Sequence, residues 1–282
     1  MNEIAEAFVS ACRDEIEAPK PGNVHIFADG HGMTVDDFLQ SAEAAAPTLC
    51  APGTPVGRRI FAAVEGTDAA VAKNTNLGII LLCAPLAAAA EMGGDIRENL
   101  RAVLAGLTRD DASLAFKAIL RAGPAGLGTA SRHDVREGAS VTLLESMREA
   151  APRDKVAYQY AFDFSDVYDA GMESLRDAED KCWQAPWPAA SAYLAFLARF
   201  PDSHIARKFG PEASLRVQTE AIEVHKRFMN AANPQERLQD LLHFDRRLKN
   251  LGLNPGTSAD LTVASLFAEK LTRVLINRSN NG

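Results

Sequence analysis

NPQERLQDLLHFDRRLKNLG, residues 233–252, reads as one complete helix with both ends marked. Asn233 offers a side-chain acceptor to the first turn, and Pro234 sits where a missing N–H costs nothing. Glu236 is the acid that completes a capping box. Gly252 stops the helix, because glycine takes the left-handed closing conformation without a Cβ penalty. The same start chemistry recurs where Thr34 precedes Asp37 and Thr108 precedes Asp111. Apolar residues return at helical spacing at Ile4, Phe8, Cys12 and Ile16, at Leu114, Ile119 and Leu120, and at Leu261, Leu266 and Leu271. Strand-like alternation is scarce. The expectation is an all-α fold, a single compact multi-helix domain over residues 1–282, with roughly ten helices and little or no sheet.

Composition bounds the function. With 47% hydrophobic residues in 282, the chain can bury a sizeable core, which removes disorder as an option. Ala and Leu are abundant and aromatics reach only 7%, which suits closely packed helices. A formal charge of -7 argues against broad binding to nucleic acid or an acidic membrane, so any anion must be held by a local basic cluster. Cys12, Cys50, Cys83 and Cys182 lie far apart with no zinc-ligand spacing, as expected of free thiols in a reducing compartment. Glu3 and Glu6 stand where a secretory signal would carry basic residues. The most apolar stretch, Leu77 to Ala90, contains Pro85 and is shorter than the roughly 20 residues a bilayer requires. A cytoplasmic protein is the expectation.

Binding groups collect where helical periodicity breaks into polar, Gly and Pro residues. Five breaks stand out. Pro19-Lys20-Pro21-Gly22-Asn23-Val24-His25, followed by Gly30-His31-Gly32-Met33, sets a cation, an amide and an imidazole on a tight backbone path. It reads either as a grip for phosphate or ribose, or as an ordinary helix-ending turn. Lys73-Asn74-Thr75-Asn76-Leu77-Gly78 precedes the apolar stretch and suits an anion at a helix N-terminus; simple capping by Asn74 or Thr75 is the plainer reading, slightly ahead of it. Gly126 and Gly128 do not make a dinucleotide fingerprint, since no strand precedes them. Glu145, further on, is either a working carboxylate or the polar edge of a helix. Asp202 to Gly210 combines an acid suited to a cation with adjacent Arg207 and Lys208, which suit polyphosphate; a solvated charge cluster is the plain alternative. Asn254-Pro255-Gly256-Thr257-Ser258-Ala259-Asp260-Leu261 opens the last long helix, with Thr257 or Ser258 as its cap or as part of a nucleotide site. Trp183 to Pro188 reads as a turn.

In this order the segments resemble the triphosphoribosyl-dephospho-CoA synthase family over nearly the whole chain. Pro19 to Gly22 match that family's Pro-Lys-Pro-Gly turn, and Gly30, His31 and Met33 its Gly/His/Met segment. Asn74, Thr75 and Gly78 match its Asn-Thr and Gly, while Pro255, Gly256, Ser258, Ala259, Asp260 and Leu261 match its Pro-Gly-x-Ser-Ala-Asp-Leu segment. Asn23-Val24-His25 departs from the usual Leu-Val-Asp, and Asn76-Leu77 from the usual His-Lys. In these departures, in Gln159-Tyr160 and in Asp202 to Gly210, the chain is similar to an archaeal and methylotroph branch. Some of its members are associated with one-carbon metabolism on tetrahydromethanopterin-type carriers.

The resemblance implies an all-helical enzyme that moves the triphosphoribosyl group of ATP, with Mg²⁺, to a hydroxyl of dephospho-CoA or another small-molecule acceptor and releases adenine. A displacement at the ribose anomeric carbon needs a carboxylate near the ring, a proton donor for the base and cations for the triphosphate. The catalytic candidates are Asp260, Glu145, His25 and His31, and the phosphate-contact candidates are Lys20, Asn23, Asn74, Asn76, Arg207, Lys208 and Ser258. Asp202 and Asp260 are the candidate metal ligands. A homodimer is left open, with no nucleic-acid or membrane partner expected. The alternatives are ATP chemistry on a one-carbon carrier precursor and a non-catalytic helical nucleotide-binding protein.

Overall fold

The computed structural model describes residues 2–124 and 134–281. Among the described residues there are fourteen α-helices, one short π-helix and no β-strand, only two isolated β-bridges between His25 and Ala28 and between Gly30 and Met33. The helices are α1 (Glu3–Glu17), α2 (Val35–Leu49), α3 (Val56–Val71), α4 (Leu77–Glu91), α5 (Ile96–Ala105), α6 (Arg109–Ala122), α7 (Leu143–Ala150) and α8 (Lys155–Ala161). After a π-turn at Val167–Gly171 come α9 (Met172–Asp180), α10 (Trp187–Arg199), α11 (Ser203–Phe209), α12 (Pro211–Asn230), α13 (Pro234–Asn250) and α14 (Gly256–Asn281). The all-helical expectation holds, but the expected count of about ten falls short. The excess includes α7, α8 and α11, which span eight, seven and seven residues, about two turns each and too short to show a period of 3.6.

The described chain groups into two compact units, each assembled from sequence-distant pieces. One comprises Met1–Cys12, Asp37–Ser165 and Phe267–Gly282; the other comprises Arg13–Asp36 and Asp166–Leu266. That interleaving explains why no composition shift marks a boundary.

The first unit is centred on α4, whose residues from Ile79 to Leu86 are all buried. Pro85 has no N–H, so the carbonyl of Leu81, four residues back, loses its helical partner. The buried Tyr160 hydroxyl donates to that carbonyl at 2.5 Å and satisfies it. Between α3 and α6 the backbones meet at Gly57, where a Cβ would lie 2.4 Å from the Asp111 Cα. The Gly57 amide donates to Asp111, the acid of the Thr108–Asp111 capping box. Phe8 and Phe267 pack edge-to-face in the same unit. Among the described residues no single helix is long and apolar enough to cross a membrane; α4 and α5 pass that test only as a pair bent by 113°.

In the second unit, α10 packs on α9 and α12, and α12 also packs on α11 and α13. The N-terminus of α13 is as expected: Asn233 accepts from the Glu236 amide at 3.0 Å. Glu236 reaches back to the Ala232 amide, one residue further than an ordinary capping box. Gly252, at φ 69°, closes the helix.

A buried polar network as candidate active site

The turn after α1 is the centre of the second unit's polar network. Gly22 sits at φ 85°, and a Cβ there would fall 2.8 to 2.9 Å from the Pro255 ring, Leu248 and the Leu253 carbonyl, so only glycine fits. Around it, partners arrive from far along the chain. The Gly22 amide donates to Asp245 Oδ1 at 2.9 Å, Asn23 donates to Asn254 Oδ1 at 2.7 Å, and the Tyr193 hydroxyl donates to the Pro21 carbonyl at 2.7 Å. Lys20 is fully buried; it pairs with the buried Glu15 and donates to Asn23 Oδ1 at 3.2 Å. Burial pushes the Lys20 ammonium down and the Glu15 carboxyl up, while each partner's charge opposes the other's shift. Lys249 adds to the lowering at Lys20 and Asp260 counters it, which places both charges within electrostatic reach of Lys20.

A second knot joins α11 to α14. Asp202, fully buried, caps its own helix by accepting from the His204 and Ile205 amides at 2.9 and 3.2 Å. Its other oxygen accepts from the amide and hydroxyl of Ser258, both at 2.8 Å, in the first turn of α14. Thr257 returns the favour, accepting from the His204 amide at 3.2 Å. Two helix starts 56 residues apart therefore cap each other. Gly256 allows this closeness: a Cβ there would sit 3.0 Å from His204 Nδ1. Burial pushes the Asp202 carboxyl up, and its four donors pull against it. The two knots share a neighbourhood, because the carboxylates of Asp202, Asp245 and Glu15 all act, after burial, to raise the buried Tyr193 hydroxyl.

Asp202 does not fit a metal ligand. A carboxylate has about four lone-pair positions, and four donors already occupy those of Asp202. Among the described residues no group of three or more His, Cys, Asp or Glu side chains could hold a metal ion.

The remaining candidates divide. His25 and His31 belong to the turn network. The buried His25 accepts the Phe27 amide on Nδ1 at 3.2 Å, and the partly exposed His31 lies with Nε2 2.8 Å from the Gly22 carbonyl. Asp260 is partly exposed in the first turn of α14. Arg207 and Lys208 are exposed at the end of α11, with Lys208 over the Phe209 ring at 5.3 Å. Asn74, Asn76 and Glu145 belong to the first unit. Asn76 is the N-cap of α4 and makes no side-chain cap bond; Asn74 accepts from the Leu77 amide at 3.3 Å, Thr75 bonds Ser41 at 2.6 Å, and Asn76 donates weakly to the Ser41 carbonyl at 3.4 Å. Glu145 closes a capping box with Thr142. Gly126 and Gly128 lie outside the described residues.

Against known proteins, the model of the family described as ATP:dephospho-CoA triphosphoribosyl transferase (CitG) matches residues 1–279. The chain belongs to this triphosphoribosyl transferase family. A solved structure from Archaeoglobus fulgidus, provisionally assigned as a triphosphoribosyl-dephospho-CoA synthase, aligns over 82% of this chain and 96% of its own length. Its TM-score is 0.63 at 23% identity, a likeness that speaks for the fold. No curated protein sequence matches the chain.

As a member of the triphosphoribosyl transferase family the chain is a transferase, of a family whose substrates are ATP and dephospho-CoA. Three of the five sequence segments, with Lys20, Asp202 and Asp260, fall in the second unit. Sequence reading missed four residues that hold them there: Glu15, Tyr193, Asp245 and Lys249. The Asp245–Lys249 spacing of four on α13 was the one visible signal, and it looks like any surface pair on a charged helix.

Proposed function

We propose that the chain transfers the triphosphoribosyl group of ATP to a hydroxyl of dephospho-CoA or a related acceptor, and that adenine leaves. The observation that carries this reading is the meeting of the Pro-Lys-Pro-Gly turn and the Ser-Ala-Asp helix start in one buried polar neighbourhood, linked through Asn23–Asn254 and the charges of Lys20 and Asp260. In the reaction the acceptor oxygen forms a bond to the ribose anomeric carbon, and the bond from that carbon to adenine breaks. The acceptor hydroxyl loses a proton and adenine gains one, so the step balances without a further reactant.

Asp260 is the partly exposed carboxylate beside this network, and it suits stabilisation of the oxocarbenium-like ring or removal of the acceptor proton. Lys20 and Ser258 are buried and already partnered, so their part is to hold the turn and the helix start in place. With Asp202's lone pairs filled, Asp260 is the candidate that would meet a Mg²⁺ carried in with the triphosphate, whose chemistry would be to offset the phosphate charge. A second reading keeps the transfer and changes the acceptor, because Asn23 and His25 stand where the family usually has Leu and Asp.

The test is to incubate the protein with ATP, Mg²⁺ and dephospho-CoA and separate the nucleobase and nucleotide products. Adenine formed only when dephospho-CoA is present is the expected result. ATP left intact overturns this acceptor, and ADP, AMP or pyrophosphate in place of adenine overturns the chemistry.

A further inference from the structure

The two histidines of the turn differ in what their hydrogen bonds permit. A backbone carbonyl only accepts, so the His31 Nε2, 2.8 Å from the Gly22 oxygen, must carry a proton. In the neutral ring this leaves Nδ1 as the base, and among the described residues Nδ1 has no hydrogen-bond partner. His31 is also partly exposed, at φ 56° in a loop bounded by glycines. His25 is the reverse case. An N–H only donates, so Nδ1, which receives the Phe27 amide at 3.2 Å, must be unprotonated. The one proton of a neutral His25 then sits on Nε2, fully buried and 3.3 Å from Asp245 Oδ1. The ring N–H is poorly directed at that oxygen, and Nε2 makes no proper hydrogen bond; the contact is electrostatic. Protonating His25 would set two donors against each other at Nδ1.

We propose that His31 is the proton-exchanging histidine of this site, acting through Nδ1, and that His25 and Asp245 are positioning residues that fix the turn from which His31 works. One oxygen of Asp245 collects the Gly22 amide at 2.9 Å, the Lys249 ammonium at 3.0 Å and the edge of His25. Gly22 thus has Asp245 on its N–H and His31 on its C=O, so α13 and the His31 ring grip the same residue through its two flanking peptides. Lys249 also donates to the Ala28 carbonyl at 2.9 Å and packs against Gly30, which ties the His31 loop to the same helix. The charged groups that act on His25 are Asp245, Lys249 and Lys20, and those that act on Lys249, the lysine tied to the His31 loop, are Asp245 and Asp29. Burial lowers the His25 pKa, which agrees with a ring that stays neutral.

The protonation assignment stands on geometry alone, whereas the catalytic role of His31 rests on the transfer reading above. The experiment records long-range proton–nitrogen spectra of the full chain carrying ¹⁵N-histidine, from about pH 5.5 to about 8.5. The two rings are assigned with His25→Asn and His31→Asn. Asparagine keeps an acceptor near the place of Nδ1 and tolerates positive φ, so both variants retain the local backbone. The expected spectra show His25 neutral with its proton on Nε2 throughout, and the neutral His31 ring with its proton on Nε2 as well. Adenine release should fall at least about 100-fold in His31→Asn, with the KM for ATP little changed, and by less than about tenfold in His25→Asn. Asp245→Asn should lower kcat, with the KM for ATP little changed, without unfolding the chain. An imidazolium at His25 in the folded protein, or a neutral His31 with its proton on Nδ1, overturns the proposal. So does turnover retained in His31→Asn and lost in His25→Asn. A wild-type protein that releases no adenine defeats the transfer reading and the catalytic half with it, while the spectra still decide the protonation states.

Discussion

Two helix starts in this molecule use the same materials and do different work. At the start of α7 a hydroxyl and a carboxylate, Thr142 and Glu145, bond each other's backbone three residues apart, and the carboxylate stays exposed. At the start of α11 Asp202 is fully buried and spends half its bonding on Ser258, 56 residues away. The first device closes its side-chain box over three residues, and only the Leu143 amide beside it goes to a distant carbonyl, that of Thr108 at 3.2 Å. The second exists only when two distant segments meet, and it is the second that adjoins the family's motif residues. A carboxylate's candidacy for chemistry is therefore better judged by how far its partners lie along the chain than by its place in a helix.

The largest expected effect on stability follows from that contrast. Asp202→Ala leaves the Ile205 amide and the Ser258 amide and hydroxyl without their acceptor and should cost at least about 3 kcal/mol in urea unfolding, against about 1 kcal/mol for Thr142→Ala. Equal losses would break the comparison. Gly22→Ala forces a Cβ into the Leu253 carbonyl at positive φ and should cost about 2 to 3 kcal/mol, with the damage felt in the second unit's amide exchange. Tyr160→Phe removes the donor that replaces the missing N–H of Pro85 and should cost about 1 to 2 kcal/mol, read in the first unit.

The smallest effect is with pH. Burial lowers the pKa of both His25 and His225 in the folded chain below the ordinary value of 6.5. The unfolded chain then binds more protons, so this contribution is whole above about pH 6.5 and is lost as pH falls toward the lowered folded values. The melting temperature should decline on mild acidification, and His25→Asn should flatten that decline.

Much of the fold was legible because its signals are local. The cap, proline and closing glycine of α13 lie within one segment, as does the Thr108–Asp111 box of α6. The site was legible only as a set of turns. Lys20, Asn23, Ser258 and Asp260 announce themselves by interrupting helices, but Asp245 sits inside a charged amphipathic helix. Its bond to Gly22 spans 223 residues, which no local pattern records. Tyr160 was visible only by resemblance, and its task depends on a proline in another helix. Asp202 was visible as an acid in a polar break; that its lone pairs are filled by two helix starts is a property of the folded chain alone.

The most direct test of the account sets the two regions against each other in one assay. Adenine release from ATP with dephospho-CoA would be measured for Asp260→Asn and Glu145→Gln, with helix content and unfolding midpoint followed in parallel. The account predicts that Asp260→Asn abolishes turnover in a folded protein, while Glu145→Gln keeps it and loses only capping stability. Turnover retained in Asp260→Asn and lost in Glu145→Gln would contradict it and move the reaction to the first unit.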